Sequence, residues 1–303
     1  MNAPTQTGGG GTRVASPGAF TVKSLGRSDK EVPWLNMLIY GSHGAGKSTL
    51  LASAADVVPM NDVLIVAAEG GEIVYEDNDR IANSDQLDLI KVERIEQLQK
   101  VYEFLKAHIS LRDAEGPEAD AKLLKLQQMI LPEDDTRVRR WRTVIVDSLS
   151  EIEAYNLAKI LNLDAMGLDA GEEFEVAGFA EFRRNNHIIQ RMVRQFRDLD
   201  IHVLMTCAQS FSQDERKAYH YGPKLTGQLS GIVQGFFDVV GWLVVGQKSG
   251  DEASGPRRLF VQPQSVPKAD AKCRLAAYKS DYFDNPVMRD IVVGTGIIKD
   301  VGK

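Results

Sequence analysis

Residues Gly41-Ser42-His43-Gly44-Ala45-Gly46-Lys47-Ser48 spell a complete G-x-x-x-x-G-K-[ST] phosphate loop. The apolar run Met37–Tyr40 precedes it and Thr49-Leu50-Leu51-Ala52 follows, so strand, loop and helix start come in the required order. Glycines at 41, 44 and 46 let the backbone wrap closely enough for successive N–H groups to face the phosphates of a nucleotide. The positive end of the following helix adds to that field. Lys47 is placed to reach the β- and γ-phosphate oxygens, and the Ser48 hydroxyl to bind Mg²⁺. The motif leaves position 43 free, so His43 reads as a tolerated variant there. Residues 41–49 are therefore the expected nucleotide-binding set, with ATP and Mg²⁺ as the expected cofactors.

A chain of 303 residues is ample for one large α/β domain with tails. No apolar run approaches the ~20 residues of a membrane span. The N-terminus, MNAPTQTGGGGTRVASPG, lacks an apolar signal core. Cys207 and Cys273 form no metal or redox spacing, and a reduced, cytoplasmic setting is expected. A net charge of −6 counts against nucleic acid only in bulk; a local basic groove steers a polyanion regardless of the total.

Residues 1–33 are rich in Gly, Thr, Ser and Pro and read as a flexible tail. From Trp34 onward, strand-length apolar runs alternate with helical periodicity. The expected strands are Met37–Tyr40, Val63–Ala67, Leu87–Val92, Thr143–Asp147, His202–Cys207 and Val239–Val245. Such nearly continuous apolar runs belong to a parallel sheet covered on both faces. The alternation implies a doubly wound α/β core over 34–285. Residues 110–142 interrupt it, and read as a charged insertion carrying one amphipathic helix. Trp242–Val245 and Leu259–Gln262 suggest a C-terminal β-hairpin. The segment 286–303 is expected to add an edge strand at Asp290–Ile298.

A phosphate loop needs a second acid on the metal side and a base to aim water. Thr143-Val-Ile-Val-Asp147 ends an apolar strand in an aspartate, where α/β ligands sit, so Asp147 is the expected metal-side carboxylate. The blander alternative is a cap for the next helix. Ser148 follows Asp147, so a base must come from elsewhere. The strand Val63–Ala67 leads to Glu69-Gly70-Gly71, and that strand is expected to neighbour the phosphate-loop strand, bringing Glu69 to a water in line with the γ-phosphate. A third strand, His202–Gln209, ends in an amide able to sense the γ-phosphate. Glu69 as a solvated turn residue and Gln209 as an ordinary loop residue are the competing interpretations.

In the order phosphate loop, Glu69, Asp147-Ser148 and Gln209, the chain resembles the ATPase core of RecA-type recombinases. Nearer still, it resembles compact phage-encoded RecA-like ATPases that act with single-strand annealing proteins. The resemblance covers about 34–285. It implies a RecA-like doubly wound sheet, an ATPase assisting recombination or annealing, and a homo-oligomer with ATP between subunits. It implies that Ser210–Ile232 is a mobile loop facing single-stranded DNA, with a second such loop at Leu163–Glu181. It also implies that a neighbour's basic residues complete the site, and Lys272 and Arg274 match that element. Residues 1–33 show no match to the N-terminal helical domain of full-length recombinases and no clear Phe-x-x-Ala oligomerisation peptide. Filament formation of the recombinase kind is therefore not expected, while a ring or short oligomer is compatible with the resemblance.

Ser210–Ile232 also carries Arg216, Lys217, Tyr219, Tyr221 and Lys224 beside glycines. Cations neutralise phosphates and aromatics stack on bases, the mixture used for single strands. Arg184, His187, Arg191 and Arg194 fall on one helical face, for which a solvated surface is the ordinary outcome. Leu163–Glu181 is acidic, which argues against a strong phosphate grip there. Rival readings are a phosphate-loop kinase, a hexameric helicase or packaging motor, and a non-hydrolysing nucleotide-gated module.

Overall fold

The structure, a computed structural model, describes residues 34–75, 78–132, 134–163, 177–213, 215, 217–247, 255–275 and 280–297. The N-terminal tail 1–33, residues 164–176 of the second expected DNA loop, Arg216, and 298–303 lie outside them.

The strands are β1 Asn36–Gly41, β2 Val63–Ala67, β3 Leu87–Lys91, β4 Thr143–Asp147, β5 His202–Gln213, β6 Tyr219–Pro223 and β7 Val239–Val245. Of these, β1, β2, β4, β7 and the first half of β5 form where buried β-branched and aliphatic residues run together, whereas β3 and β6 are only partly buried. Shorter strands follow: β8 Arg257–Phe260, β9 Gln264–Ser265, β10 Lys268–Ala269, β11 Lys272–Cys273 and β12 Tyr282–Asp284. The main sheet runs β12-β8-β7-β1-β5-β4-β2-β3. From β3 to β7 every pairing is parallel, whereas β8 and β12 add on antiparallel. The helices are α1 Lys47–Ala52, α2 Ile95–Arg112, α3 Pro117–Gln127, α4 Leu149–Ile160, α5 Phe179–Arg197, α6 Leu229–Gln234 and α7 Met288–Gly294.

Alternate residues of each central strand enter two apolar cores, one on each face. Leu38, Tyr40, Val146, Val203 and Met205 pack with Leu98, Leu105, Ile189 and Phe196 of α2 and α5. Met37, Ile39, Ile65, Ile145 and Leu204 pack with Leu50, Leu51, Ile291 and Val292 of α1 and α7. This is the expected RecA-like doubly wound sheet, and the β7–β8 hairpin closes as anticipated, with Trp242 opposite Phe260.

Four expectations are corrected. First, β2 does not neighbour β1: β5 and β4 stand between them. Strand adjacency is set by crossover topology, which the order of strands in the chain does not encode. Second, Asp290–Ile298 is not an edge strand. Met288, Ile291 and Val292 bury at helical spacing as α7. Val287 N donates to Asp290 Oδ2 at 3.2 Å, and Met288 N to Ser53 Oγ at 2.8 Å. Third, the helix before the expected insertion runs on to Arg112. The buried stripe Leu105, His108, Arg112 holds helical spacing but hides two polar residues. Fourth, Ser210–Ile232 is not an open loop. The β5 strand continues to Gln213 and pairs antiparallel with β6.

The connection before β4 is strapped to β3 through Asp88, which accepts from Arg139 Nε at 2.7 Å and Trp141 Nε1 at 2.8 Å. Against Trp141 lies His108, fully buried, its ring 4.9 Å from the indole. His202 is likewise fully buried, and its Nδ1 accepts from Leu35 N at 3.0 Å. Burial pushes both imidazoles down to about 4. They are neutral when folded but take protons near 6.5 when unfolded, so the unfolded state binds more protons in that window. Stability should therefore be fullest above about pH 6.5 and fall, on the order of 3 kcal/mol per histidine, as pH drops to about 4. Denaturant unfolding at a series of pH values checks this, with a shallower slope expected for His108→Gln.

Candidate functional site

The loop between β1 and α1 turns through two left-handed glycines, Gly44 at φ 74° and Gly46 at φ 93°. A side chain would be strained at either. Gly41 is constrained differently: a Cβ there would sit 2.4 Å from the carbonyl oxygen of Leu243 on the adjoining β7. Lys47 is buried, and its Nζ donates to the Gly41 and Ser42 carbonyls at 3.1 and 3.0 Å. Burial lowers its pKa, while the charges of Glu69 and Asp147 oppose the shift. Both carboxylates thus lie within electrostatic range of the phosphate-loop lysine.

Asp147 closes β4 beside α1. Ser48 Oγ donates to its Oδ2 at 2.7 Å, and Tyr75 OH donates to the same oxygen. Thr206 Oγ1, from β5, donates to Oδ1. Three hydroxyls from three elements therefore fix the carboxylate. Tyr75 and Thr206 were not singled out in the sequence, because a tyrosine six residues beyond a glutamate and a threonine inside a strand carry no motif. The Asp147–Ser148 peptide is cis.

Glu69 reaches this cluster although β2 is three strands from β1. The β2 chain bends over the end of β4, where Ala68 N and Glu69 N both donate to the Asp147 carbonyl, at 2.6 and 3.1 Å. Its Oε1 lies 3.8 Å from His43 Nδ1 in the crown of the loop. Glu69 and Asp147 therefore flank the phosphate loop from two different strands, and His43, free in the motif, is the loop residue Glu69 meets.

Gln209 lies on β5, the strand that does adjoin β1, one residue beyond the Gly41–Ala208 pair. Trp242 Nε1 donates to its Oε1 at 2.8 Å. Trp242 in turn stacks on Tyr221, with ring centroids 5.2 Å apart. Ser150, in the first turn of α4, ties the same corner together: Ala208 N donates to its Oγ at 3.0 Å, and that hydroxyl donates to the Lys224 carbonyl at 3.1 Å. The helix that follows β4, the Gln209 strand and the exit of the β5–β6 hairpin thus meet at one serine.

On the hairpin, Tyr219 and Phe211 are exposed and edge-packed, centroids 6.1 Å apart. Lys217 turns with φ 63° near its tip, and Lys224 is exposed at its base. Tyr221 is half-buried against Trp242 and offers less free ring than Tyr219. Arg183, Arg184, His187, Arg191 and Arg194 are exposed on α5. Arg194 stacks on Phe236 at 4.7 Å. Between the start of α5 and α6 a groove of about 530 Å³ is lined by Phe179, Phe182, Arg183, His187, Gly227 and Ile232.

Lys272 and Arg274 do not reach this chain's phosphate loop. Lys272 pairs with Val240 near the start of β7, whereas Gly41 pairs with Leu243 near its end. Their side chains donate to the carbonyls of Gln234 and Gly235, each at 2.6 Å, where α6 ends. Beside the loop there is instead a cavity of about 330 Å³, walled by Gly46, Thr49, Leu50, Leu243, Pro286 and Val287 and overlooked by Arg80 and Arg257. Arg257 sits on an outer strand some 210 residues from the motif, so no local pattern points to it.

A left-handed glycine loop, a buried lysine and a strand-end aspartate hydrogen-bonded to the loop serine define a phosphate-loop nucleotide-binding protein of RecA-like fold. Residues 35–275 match the AAA domain family, and the chain belongs to that family. Among solved structures it is similar to the RadB recombinase, at 14% identity and TM-score 0.35, over 77% of this chain and 83% of that one. It is also similar to the flagellar accessory protein FlaH from Methanocaldococcus jannaschii, at 12% identity and TM-score 0.34, over 82% and 83% of the two chains. No curated protein matches the chain. Among the described residues no helix is long and apolar enough to cross a membrane.

Proposed function

We propose that this chain is a Mg²⁺-dependent ATPase whose nucleotide cycle governs binding of single-stranded DNA, in support of DNA recombination or annealing. The observation that carries the reading is the convergence of Lys47, Ser48, Asp147 and Glu69 at one end of the sheet, with the acids on separate strands. The Ser48 hydroxyl and the Asp147 carboxylate are hard oxygen donors of the kind Mg²⁺ takes alongside phosphate oxygens. Among the described residues no group of three or more His, Cys, Asp or Glu side chains forms a metal cage, which suits an ion held largely through the nucleotide. Mg²⁺, when bound, neutralises charge on the phosphates.

In this reading, Lys47 exchanges its two loop carbonyls for phosphate oxygens. Ser48 and Asp147 hold the metal side, with Tyr75 and Thr206 fixing the aspartate. Glu69 accepts a proton from the attacking water. Gln209 senses the terminal phosphate, and Ser150 and Trp242 connect it to the hairpin. Lys217, Tyr219 and Lys224 on the hairpin, with the exposed arginines of α5, supply the cation and aromatic mixture that single strands favour. Lys272 and Arg274, remote from their own loop, serve a neighbouring subunit's nucleotide in a homo-oligomer. A phage setting, a cytoplasmic location and a single-strand-binding or annealing partner belong to the same reading.

The test is the rate of phosphate release with and without single-stranded DNA across a salt series. Stimulation at low salt that weakens as salt rises is expected, since phosphate contacts release counterions. Transfer of phosphate to a metabolite would replace this reading with a kinase, and duplex unwinding would replace it with a motor.

A further inference from the structure

Arg257 and Arg80 are two guanidinium groups with no role in the machinery above. Arg257 is held firmly. Its backbone N donates to Asn285 Oδ1 at 2.9 Å, and its carbonyl accepts from Asn285 N at 2.6 Å. Its Nε donates to the Ala45 carbonyl, inside the phosphate loop, at 2.9 Å. The side chain passes so close to the loop that a Cβ on Gly46 would lie 2.8 Å from that nitrogen. Arg257 lines the cavity beside Thr49, and Arg80, from the turn after β2, lines it too. That turn is pinned to the same place, because Asn78 Oδ1 accepts from Arg80 N at 3.1 Å and its Nδ2 donates to Thr49 Oγ1 at 3.4 Å.

Among the described residues no carboxylate lies within ion-pair distance of either arginine, whereas the buried Arg112 and Arg139 and the half-buried Arg140 each have one. Burial and the facing charge of Arg80 both push the Arg257 pKa down. Two like charges sharing a cavity repel, and an anion between them removes that cost. The opposite wall is apolar, formed by Leu50, Leu243, Pro286 and Val287. A ligand with an anionic end toward the loop and a flat, less polar remainder fits this combination. We infer that Arg257 and Arg80 form a clamp, supplied by the same chain as the loop, that grips a nucleoside di- or triphosphate on the phosphate nearest its sugar while the apolar wall receives the nucleoside. The inference rests on the proposal that the loop binds nucleotide, but not on hydrolysis or on DNA. It differs from the neighbour's cations in what it distinguishes. A clamp on the sugar-proximal phosphate strengthens ADP and ATP alike, whereas a cation on the terminal phosphate favours ATP.

Equilibrium binding of ADP and of ATP to the full chain, each with Mg²⁺ and with the metal chelated, tests this. Arg257→Ala is expected to raise the dissociation constant of both nucleotides by about tenfold or more, as loss of a charge-assisted hydrogen bond does. Arg80→Ala, at an exposed position, should raise both by roughly three- to tenfold without touching the core. Arg257→Lys, which keeps the charge and loses the fork, should recover only part of the loss. Unchanged ADP affinity in Arg80→Ala and in a folded Arg257→Ala or Arg257→Lys overturns the clamp, whatever the turnover of the wild type. A loss confined to ATP overturns it too, by moving the arginines to the terminal phosphate. If the wild type binds ADP tightly but hydrolyses no ATP, the ATPase proposal fails and the clamp stands or falls on these constants alone.

Discussion

Glu69→Gln is expected to bind ATP as the wild type does and to lose hydrolysis by about 10²- to 10⁴-fold, the contribution of a positioned general base. The amide keeps the volume and the hydrogen-bonding reach of the carboxylate but cannot take a proton from water. The local backbone should survive, since it is the main-chain N–H groups of Ala68 and Glu69 that bond to the Asp147 carbonyl, and these do not depend on the side chain. Single-turnover hydrolysis measured beside nucleotide affinity separates the two effects. If Glu69→Gln hydrolyses ATP at the wild-type rate, the base lies elsewhere, and the separation of the two acids on β2 and β4 has no catalytic meaning.

Lys47→Ala has the larger expected effect on binding itself. Lys47 is buried, bonded to two loop carbonyls and within electrostatic range of Glu69 and Asp147, and in the proposed function it is the loop's cation for the phosphates. Its removal should raise the dissociation constant of ATP by about 10²-fold, the loss expected of a hydrogen bond to a charged group. Turnover should become undetectable with it. The fold should persist, because β1, which leads into the loop, is held on both sides by fully buried apolar pairs such as Leu38 with Met205 of β5 and Leu38 with Val240 of β7. Calorimetric titration with ATP, run alongside a thermal melt, checks both statements. Wild-type affinity in this variant would remove the phosphate loop from the argument altogether.

The phosphate loop, the parallel core and the strand-end aspartate were legible because each is written locally. A strand-length apolar run, a glycine spacing and an acid at a strand end need no partner to be recognised. Val63–Ala67, Thr143–Asp147 and Val239–Val245 fold with the boundaries expected of them. What was not legible is relational. The sequence shows that Glu69 ends a strand, but not that β4 and β5 separate it from the loop strand or that its chain bends over the end of β4 to arrive there. Arg257 belongs to the same class of omission: it reaches Ala45 across most of the chain's length. The helix α7 was missed for another reason. Ile291, Val292 and Val293 are β-branched and adjacent, so local propensity favoured a strand, and only burial of Met288, Ile291 and Val292 against the segment after α1 selected a helix. Asp88, Arg139 and Trp141 look like scattered charge and aromatic content until the strap they form is seen.

The pairing of Gln209 with Trp242 has a further consequence. An indole has a single hydrogen to give, and this one sits on a ring only 6% exposed to water. Were the amide to turn its carbonyl toward any other group, that donor would be orphaned, at a cost of about 1–3 kcal/mol. The glutamine is thus held back by a threshold: weak encounters leave it where it is, and only a visitor offering it at least as much can draw it away.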